Sequence, residues 1–506
     1  MQHQSEPIDR VVVIGGGLAG LAAAEELLRA SGGPREVTIV EAGDRPGGVV
    51  ASVRHDGWLT ERSADSFLAA RPEGMQLVER LGLTDQLVGI QPAVRRALIL
   101  HEGRLVPVPA GFRLLAPGQV WSLLTTPLLS LPGKLRLLCE PLVRRGHGND
   151  ESLEQFAVRR LGREAFERLV QPLVSGIWTA DPARLSMAAA CPDFLAMERH
   201  DGSLFAGELA RLRFAPRGQT ASGARYGQFV SLASGMETLP RRLAEHVQAA
   251  GGRFMQGRAL AVRRHAAGWQ VEIEGQTALE AEAVIVAVPA AAAATLLHEA
   301  DATLATRLGE IEYAGSAVVS LGYARSDVAH PLNAAGLVVP RCEGRKILAI
   351  SFLSSKFPGR APEGHVLIRV FVGGALDPTA AQLDDTALLA RVRYEAADLL
   401  GIHGEPKLVQ IDRWHAAMPQ YHVGHVARVA AIRDRAAALP RLALAGAAYE
   451  GVGIPQVIAS GQQAARAVTA GFAGYSLRHA YFLPAGLAAP SAPSSAFFFF
   501  FFIDIL

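Results

Sequence analysis

VVVIGGGLAG at residues 11–20 and VTIVEAGDRPGG at residues 37–48 decide how this chain folds. Val11 to Ile14 make a short β-branched run of the kind a buried parallel strand uses. Gly15, Gly17 and Gly20 follow at G-x-G-x-x-G spacing, with Gly16, Leu18 and Ala19 between them, and open a helix rich in Ala, Leu and Glu. In such a turn Gly15 permits the tight bend, Gly17 lets backbone approach a pyrophosphate, and Gly20 lets helix and strand pack closely. The helix N-terminus then turns free N–H groups and a positive dipole end toward phosphate. Glu41, followed by Ala42, closes the next strand about twenty residues on, where a carboxylate accepts ribose hydroxyls. Strand, glycine turn, helix, strand and terminal acid in register predict a dinucleotide-binding βαβ unit, hence an α/β fold.

A second glycine pair lies beyond the acid, in Arg45-Pro46-Gly47-Gly48, with Gly57 and Glu61 after a short strand-like stretch. The pattern resembles flavoproteins of the amine oxidase and phytoene desaturase type, in which this loop wraps the FAD diphosphate. The resemblance implies a phosphate contact for Arg45, whose planar guanidinium suits that anion. No second G-x-G-x-x-G occurs, so a separate NADPH domain of the glutathione reductase kind is not expected.

A chain of 506 residues is too long for one core and implies two or three domains. The net charge of +2 and pI near 8.5 are too balanced for a nucleic-acid binder. Half of the residues are hydrophobic and mean hydropathy is +0.19, high for a freely soluble protein. Cys139, Cys191 and Cys342 are isolated, with no C-x-x-C and no His at ligand spacing. That argues against a zinc site, an iron–sulfur cluster or a disulfide framework and fits a reducing compartment. MQHQSEPIDR shows no apolar signal core and no twin arginine, so the expected location is the cytoplasm.

Three textures alternate along the chain. Residues 9–90, 228–299 and 412–472 read as segments of one dinucleotide domain, and 91–104 with 300–411 as a β-sheet substrate domain. Residues 105–227 read as a helical subdomain, and Ala/Pro/Ser-rich 473–506 as a disordered tail. The closing FFFFFFIDIL is too short to cross a bilayer and reads as an artefact or a sticky tail, not a functional element. From Ser152 to Trp178 one longer helical pattern is expected, with Phe156, Leu161, Phe166, Leu169 and Leu173 on one stripe. FRLLAPGQVWSLLTTPLLSLPGKLRLLCEPLVRRG, residues 112–146, mixes Leu, Val and Trp with basic residues. It fits a membrane interface with Lys134, Arg136, Arg144 and Arg145 toward headgroups, or a helical unit burying its own leucines. The first alternative places the protein peripherally on the inner face of the cell membrane.

Four further stretches resemble the protoporphyrinogen/coproporphyrinogen oxidases of late haem biosynthesis, over roughly residues 10–470. Ala64-Asp65-Ser66-Phe67-Leu68 resembles that family's GPxSF loop, and GIWTADP at 176–182 its GIYAGDP segment. PQYHVGH at 419–425 matches PQYxxGH, and AGAAYEGVGI at 445–454 resembles AGxxYxGVG(I/V). Two departures stand out: Ser63-Ala64 replaces a Gly-Pro, and Val49 stands where some members carry Trp or Arg.

The resemblance implies a Rossmann-like FAD domain of the amine oxidase type and non-covalent FAD. It implies contacts from Gly15 to Gly20, Glu41, Ala42, Arg45, Gly47, Gly48, Val49, Ser63, Ala64, Asp65, Ser66, Leu260, Gly446, Ala447, Val452, Gly453 and Ile454. It implies oxidation of protoporphyrinogen IX to protoporphyrin IX, six electrons passing to three O2 as H2O2, with coproporphyrinogen III as alternative substrate. Flavin N5 takes hydride, so no catalytic side chain is expected. A flat apolar ring edged by carboxylates needs an apolar slot and a cation. Arg96 falls where the family places its propionate-binding arginine, and a shift of the alignment by one residue gives the role to Arg95. Gly176 lets ring and backbone approach, and Val338 and Phe371 supply walls. His422 and His425 stand three apart, but Pro419 and Gly424 argue against a helix presenting both to one ion; structural hydrogen bonding is expected and no metal. Monomer or homodimer, and hand-over to a neighbouring haem-pathway enzyme, are left open. Competing readings are a phytoene-desaturase-like or amine-oxidase-like enzyme and a non-catalytic flavin scaffold. No Cys follows Cys342, which excludes flavin attached to a Cys near the end of the chain.

Overall fold

The computed structural model describes residues 9–30, 33–146, 148, 150–214, 229–266 and 268–470; the Ala/Pro/Ser-rich tail and its phenylalanines lie outside them. Five short, apolar strands form a wholly parallel sheet in the order Arg253–Gln256, Glu36–Glu41, Arg10–Ile14, Ala283–Val286, Leu442–Leu444. Val12, Val13, Ile39, Val284 and Ile285 are buried because both faces of this sheet are covered. From Arg10–Ile14 the chain adds its next strand on one side and the later Ala283–Val286 strand on the other. The strand order therefore reverses beside Gly15, the place where open α/β sheets bind ligands. The helix Leu18–Arg29 packs against Ile454–Ala470. They approach so closely that a Cβ on Gly461 would stand 2.0 Å from the Ala19 carbonyl oxygen.

A second sheet has seven strands, ordered Leu408–Pro419, Tyr313–Ala324, His365–Gly373, Ala349–Ser351, Gly336–Val338, Ala97–His101, Arg104–Pro107. All neighbours are antiparallel except Gly336–Val338 with Ala97–His101. The helix Asp385–Leu400, capped by Asp384 accepting from the Ala387 N–H at 2.8 Å, covers one face through Leu388, Val392 and Ala396. The opposite face, with Ile99, Val318, Ala349, Val338 and Phe371, shares a core with the helical region. The sheet extends past both limits read from sequence. Arg104–Pro107 forms its edge, and Leu408–Pro419 stays paired to Tyr313 through a bulge between Ala314 and Ser316.

The expected long helix from Ser152 to Trp178 is divided. A capping box at Ser152 and Gln155 starts Leu153–Leu161, and Gly162 at φ +93° ends it. Arg163–Ala165 and a π-turn at Phe166–Val170 lead into Gln171–Trp178, where Pro172 sits in the first turn and so breaks no internal bond. The stripe Phe156, Leu161, Phe166, Leu169, Leu173 is buried as its spacing predicts.

Candidate functional site

The three fingerprint glycines do different work. A Cβ on Gly15, at φ +105°, would lie 2.5 Å from the Ala287 carbonyl oxygen, and one on Gly20 would lie 1.9 Å from that of Gly15. Both glycines are therefore demanded by the protein's own packing. Gly17 has φ −72° and a Cβ there would meet only the Gly48 Cα, at 4.0 Å. Its lack of a side chain keeps space open in front of the helix Leu18–Arg29, as a dinucleotide diphosphate requires.

Around that space the expected residues converge. Glu41 Oε2 accepts from the Gly16 N–H at 2.6 Å and Oε1 from the Gly43 N–H at 2.7 Å, fixing the acid at the strand end. The Gly47 N–H donates to Gly16 O at 2.8 Å, laying the second glycine pair along the turn. Arg45 donates to the carbonyls of Pro46 (3.2 Å), Val50 (3.1 Å) and Gly48 (2.8 Å). It thus ties its loop together through three backbone carbonyls. Ser63 Oγ donates to Val49 O at 2.6 Å, bringing 63–66 to the same loop. The Gly257 N–H donates to Glu41 O at 2.8 Å, and the bulge between Ala259 and Ala261 leaves Leu260 exposed just beyond that strand end. Gly446, at φ +129° with nothing within 4 Å of a Cβ, opens the loop that runs through Ala447, Val452 and Gly453 to the helix Ile454–Ala470.

Tyr421 was missed as a functional residue, although its motif was read. Its hydroxyl donates to Ala447 O at 2.5 Å and accepts from the Gly451 N–H at 2.8 Å, so PQYHVGH braces the 446–454 loop. The two motifs belong together for this reason, which no spacing along the chain reveals. Tyr421→Phe removes both bonds in a fully buried place and should weaken flavin retention by roughly 1–3 kcal/mol. Unchanged flavin release on dilution would show the strut to be dispensable.

His425 stacks on Tyr421 at 3.9 Å and faces the Tyr449 carbonyl, and burial pushes its pKa down to about 4. His422 Nδ1 instead lies 3.2 Å from the Arg184 guanidinium, and burial with that charge lowers its pKa. The two rings have different partners, and no group of three metal-ligating side chains occurs among the described residues.

Val338 and Phe371, expected to wall a substrate slot, fall on one cross-strand row. Register places Val318, Phe371, Ala349, Val338 and Ile99 side by side on one face of the seven-stranded sheet. Helix Gln171–Trp178, which carries Gly176, packs on the Gly336–Val338 strand, and Ile177, Trp178 and Tyr421 join the same apolar core. Arg95 and Arg96 stand just before the Ala97–His101 strand and diverge. Arg95 donates to Ile90 O at 3.1 Å, on the side where Ile90 and Val94 belong to the core of Val338 and Phe371. Arg96 donates to Asn333 O at 2.8 Å and acts electrostatically on His330, which packs on Phe352 of the opposite core.

Glu61, Lys356, Arg360 and Arg369 are further buried residues that received no role from sequence. Arg369 interrupts the apolar run HVLIRVFV, which is the signal that marks it.

Comparison with known proteins places this geometry. The model of the flavin containing amine oxidoreductases matches residues 18–469. The coproporphyrinogen III oxidase of Bacillus subtilis is 34% identical over 460 residues, covering 90% of this chain and 96% of that protein. The human protoporphyrinogen oxidase is 32% identical over 481 residues, covering 90% and 98%. A solved structure from Exiguobacterium sp. 255-15, provisionally named a protoporphyrinogen oxidase, superposes with TM-score 0.80 at 31% identity over 91% of this chain and 99% of that one. Putrescine oxidase, at 16% identity and TM-score 0.64 over 91% of this chain and 99% of that one, shares the fold. A glycine turn with one glycine kept open, a second glycine loop laid along it, and a match from residue 18 to 469 make the chain a flavin-dependent oxidoreductase of the flavin containing amine oxidoreductase family, in its porphyrinogen oxidase branch.

Proposed function

We propose that this enzyme oxidises a porphyrinogen to the porphyrin, with non-covalent FAD, O2 as acceptor and H2O2 as product. The observation that carries the reading is the buried apolar row Val318–Phe371–Ala349–Val338, joined through Tyr421 to the loop that closes the dinucleotide crevice. A flat macrocycle and a dinucleotide can thereby meet. The space in front of Gly17 and Gly446 and the strand-end Glu41 fit FAD. When bound, FAD supplies a hydride acceptor and passes the electrons to O2. The protein's part is to orient the ring and exclude water. Of the two arginines, Arg95 is our choice for a substrate carboxylate, since it donates to the carbonyl of Ile90, a residue of the core that holds the row. Protoporphyrinogen IX is the first substrate to try and coproporphyrinogen III the second. Incubation of purified enzyme with each, and with amines, followed by porphyrin fluorescence and peroxide, decides among them. Oxidation of amines and of neither porphyrinogen would overturn the reading.

A membrane-facing surface is part of this proposal. Trp121 (76% exposed), Leu131 (76%), Leu135 (64%) and Leu142 (83%) are large apolar side chains left open within 120–142, as an interfacial surface requires. No helix among the described residues is long and apolar enough to cross a membrane. Arg136 and Arg145 donate to the carbonyls of Arg159, Arg160 and Arg199, so part of their hydrogen-bonding capacity is spent within the protein. Trp121→Ser with Leu142→Ser should lower binding to phosphatidylglycerol vesicles about tenfold or more, on the scale of burying two large side chains. Equal flotation of both proteins would remove the surface from the proposal.

A further inference from the structure

Five charged side chains are fully buried where the FAD domain meets the seven-stranded sheet: Glu61, Asp65, Lys356, Arg360 and Arg369. Asp65 accepts from Lys356 Nζ at 2.8 Å, from Arg369 at 3.2 Å and from Ser66 Oγ at 2.7 Å. Glu61 accepts from Arg360 at 2.9 Å, Ser52 Oγ at 2.6 Å and the Met236 N–H at 3.1 Å. Arg369 also donates to Ser63 O, and Ser63 in turn donates to Val49 O beside the second glycine pair. On the outer side Trp414 donates to Arg62 O at 2.9 Å and Arg62 to Asp412 at 2.6 Å. Residues 62–66 are thus gripped from the sheet and tied to the dinucleotide crevice.

The charges do not balance. Three cations face two carboxylates, and burial pushes the Glu61 pKa up to about 7, so near neutrality the positive excess grows. Asp412, buried on the sheet strand Leu408–Pro419, is matched by Arg62 and so adds no net charge. Ser320 and Ser351 flank Arg369 by register, yet their hydroxyls and Arg369 Nε have no hydrogen-bond partner among the described residues. A buried ion group of this kind is weak evidence for stability, because desolvation offsets its attraction. It does project a net positive field through a low-dielectric interior, where charges act more strongly than in water.

We propose that Lys356, Arg360 and Arg369, set against Asp65 and Glu61, form a charge-imbalanced clamp that positions residues 62–66 and raises the reduction potential of the FAD bound beside them. The inference rests on the functional reading above, which puts FAD against this loop. Two-electron reduction adds negative charge to the flavin, and a net positive surrounding favours that state. All five are positioning residues: they act through the loop and the field.

Potentials of FAD-loaded variants, measured at pH 8 against a reference dye, test this. Lys356→Met should lower the midpoint by a tenfold or larger change in the reduction equilibrium, about 30 mV for a two-electron couple. Asp65→Asn, which removes negative charge, should raise it, and the double variant should return toward wild type. Glu61→Gln should also raise it and serves if Asp65→Asn does not fold. Opposite signs for cation and anion removal support the clamp, since purely structural damage has no reason to follow charge. Shifts of one sign, or none, in variants that hold FAD overturn it. Wild-type protein that takes up no FAD overturns the functional reading and the clamp together, so the two failures are distinguishable.

Discussion

Gly17→Val is expected to leave the protein folded and without FAD. Gly17 already has φ −72°, which any residue adopts, and a Cβ there meets nothing of the protein closer than the Gly48 Cα at 4.0 Å. The branched side chain therefore enters space that only a ligand needs. Filling the diphosphate position should weaken FAD by about 100-fold or more, near 3 kcal/mol. The measurement is flavin absorbance per protein after gel filtration, alongside a melting curve. Gly20→Ala is the contrasting control: its Cβ would stand 1.9 Å from the Gly15 carbonyl oxygen, so loss of the fold is expected first. Full FAD occupancy in Gly17→Val would sink the assignment of this turn.

Arg95→Ala is expected to raise KM for a porphyrinogen roughly 10- to 100-fold, the scale of losing a charge-assisted pair, while FAD content stays normal. Hydride leaves the macrocycle at a carbon away from its carboxylates, so kcat should change less. Arg95→Lys should rescue only in part, because a point charge does not reproduce the planar fork. Arg96→Ala should have little effect, since Arg96 leans toward His330 and Phe352 on the other side of the sheet. The reverse ranking would move the carboxylate site to Arg96 and reopen which face of the sheet takes the ring.

The same contrast between neighbours separates what could be read along the chain from what could not. The glycine turn and Glu41 were legible because a diphosphate bound by backbone restricts residue type at fixed local spacing. The stripe from Phe156 to Leu173 was legible because a buried helix face repeats every three to four residues. Its division at Gly162 was less so, since one residue at positive φ leaves the apolar periodicity intact.

Sequence alone determined the parallel βαβ unit and the family, because both depend on groups close together in the chain. Tertiary structure decided that Arg45 ties its own loop, that Tyr421 braces the loop at 446–454, and which carbonyls Arg95 and Arg96 hold. It alone assembled Glu61 and Asp65 with Lys356, Arg360 and Arg369, partners separated by 291 to 304 positions. A buried charge is tolerated only where another element supplies its counter-charge, so its meaning belongs to the pair, and the chain writes down only one member at a time.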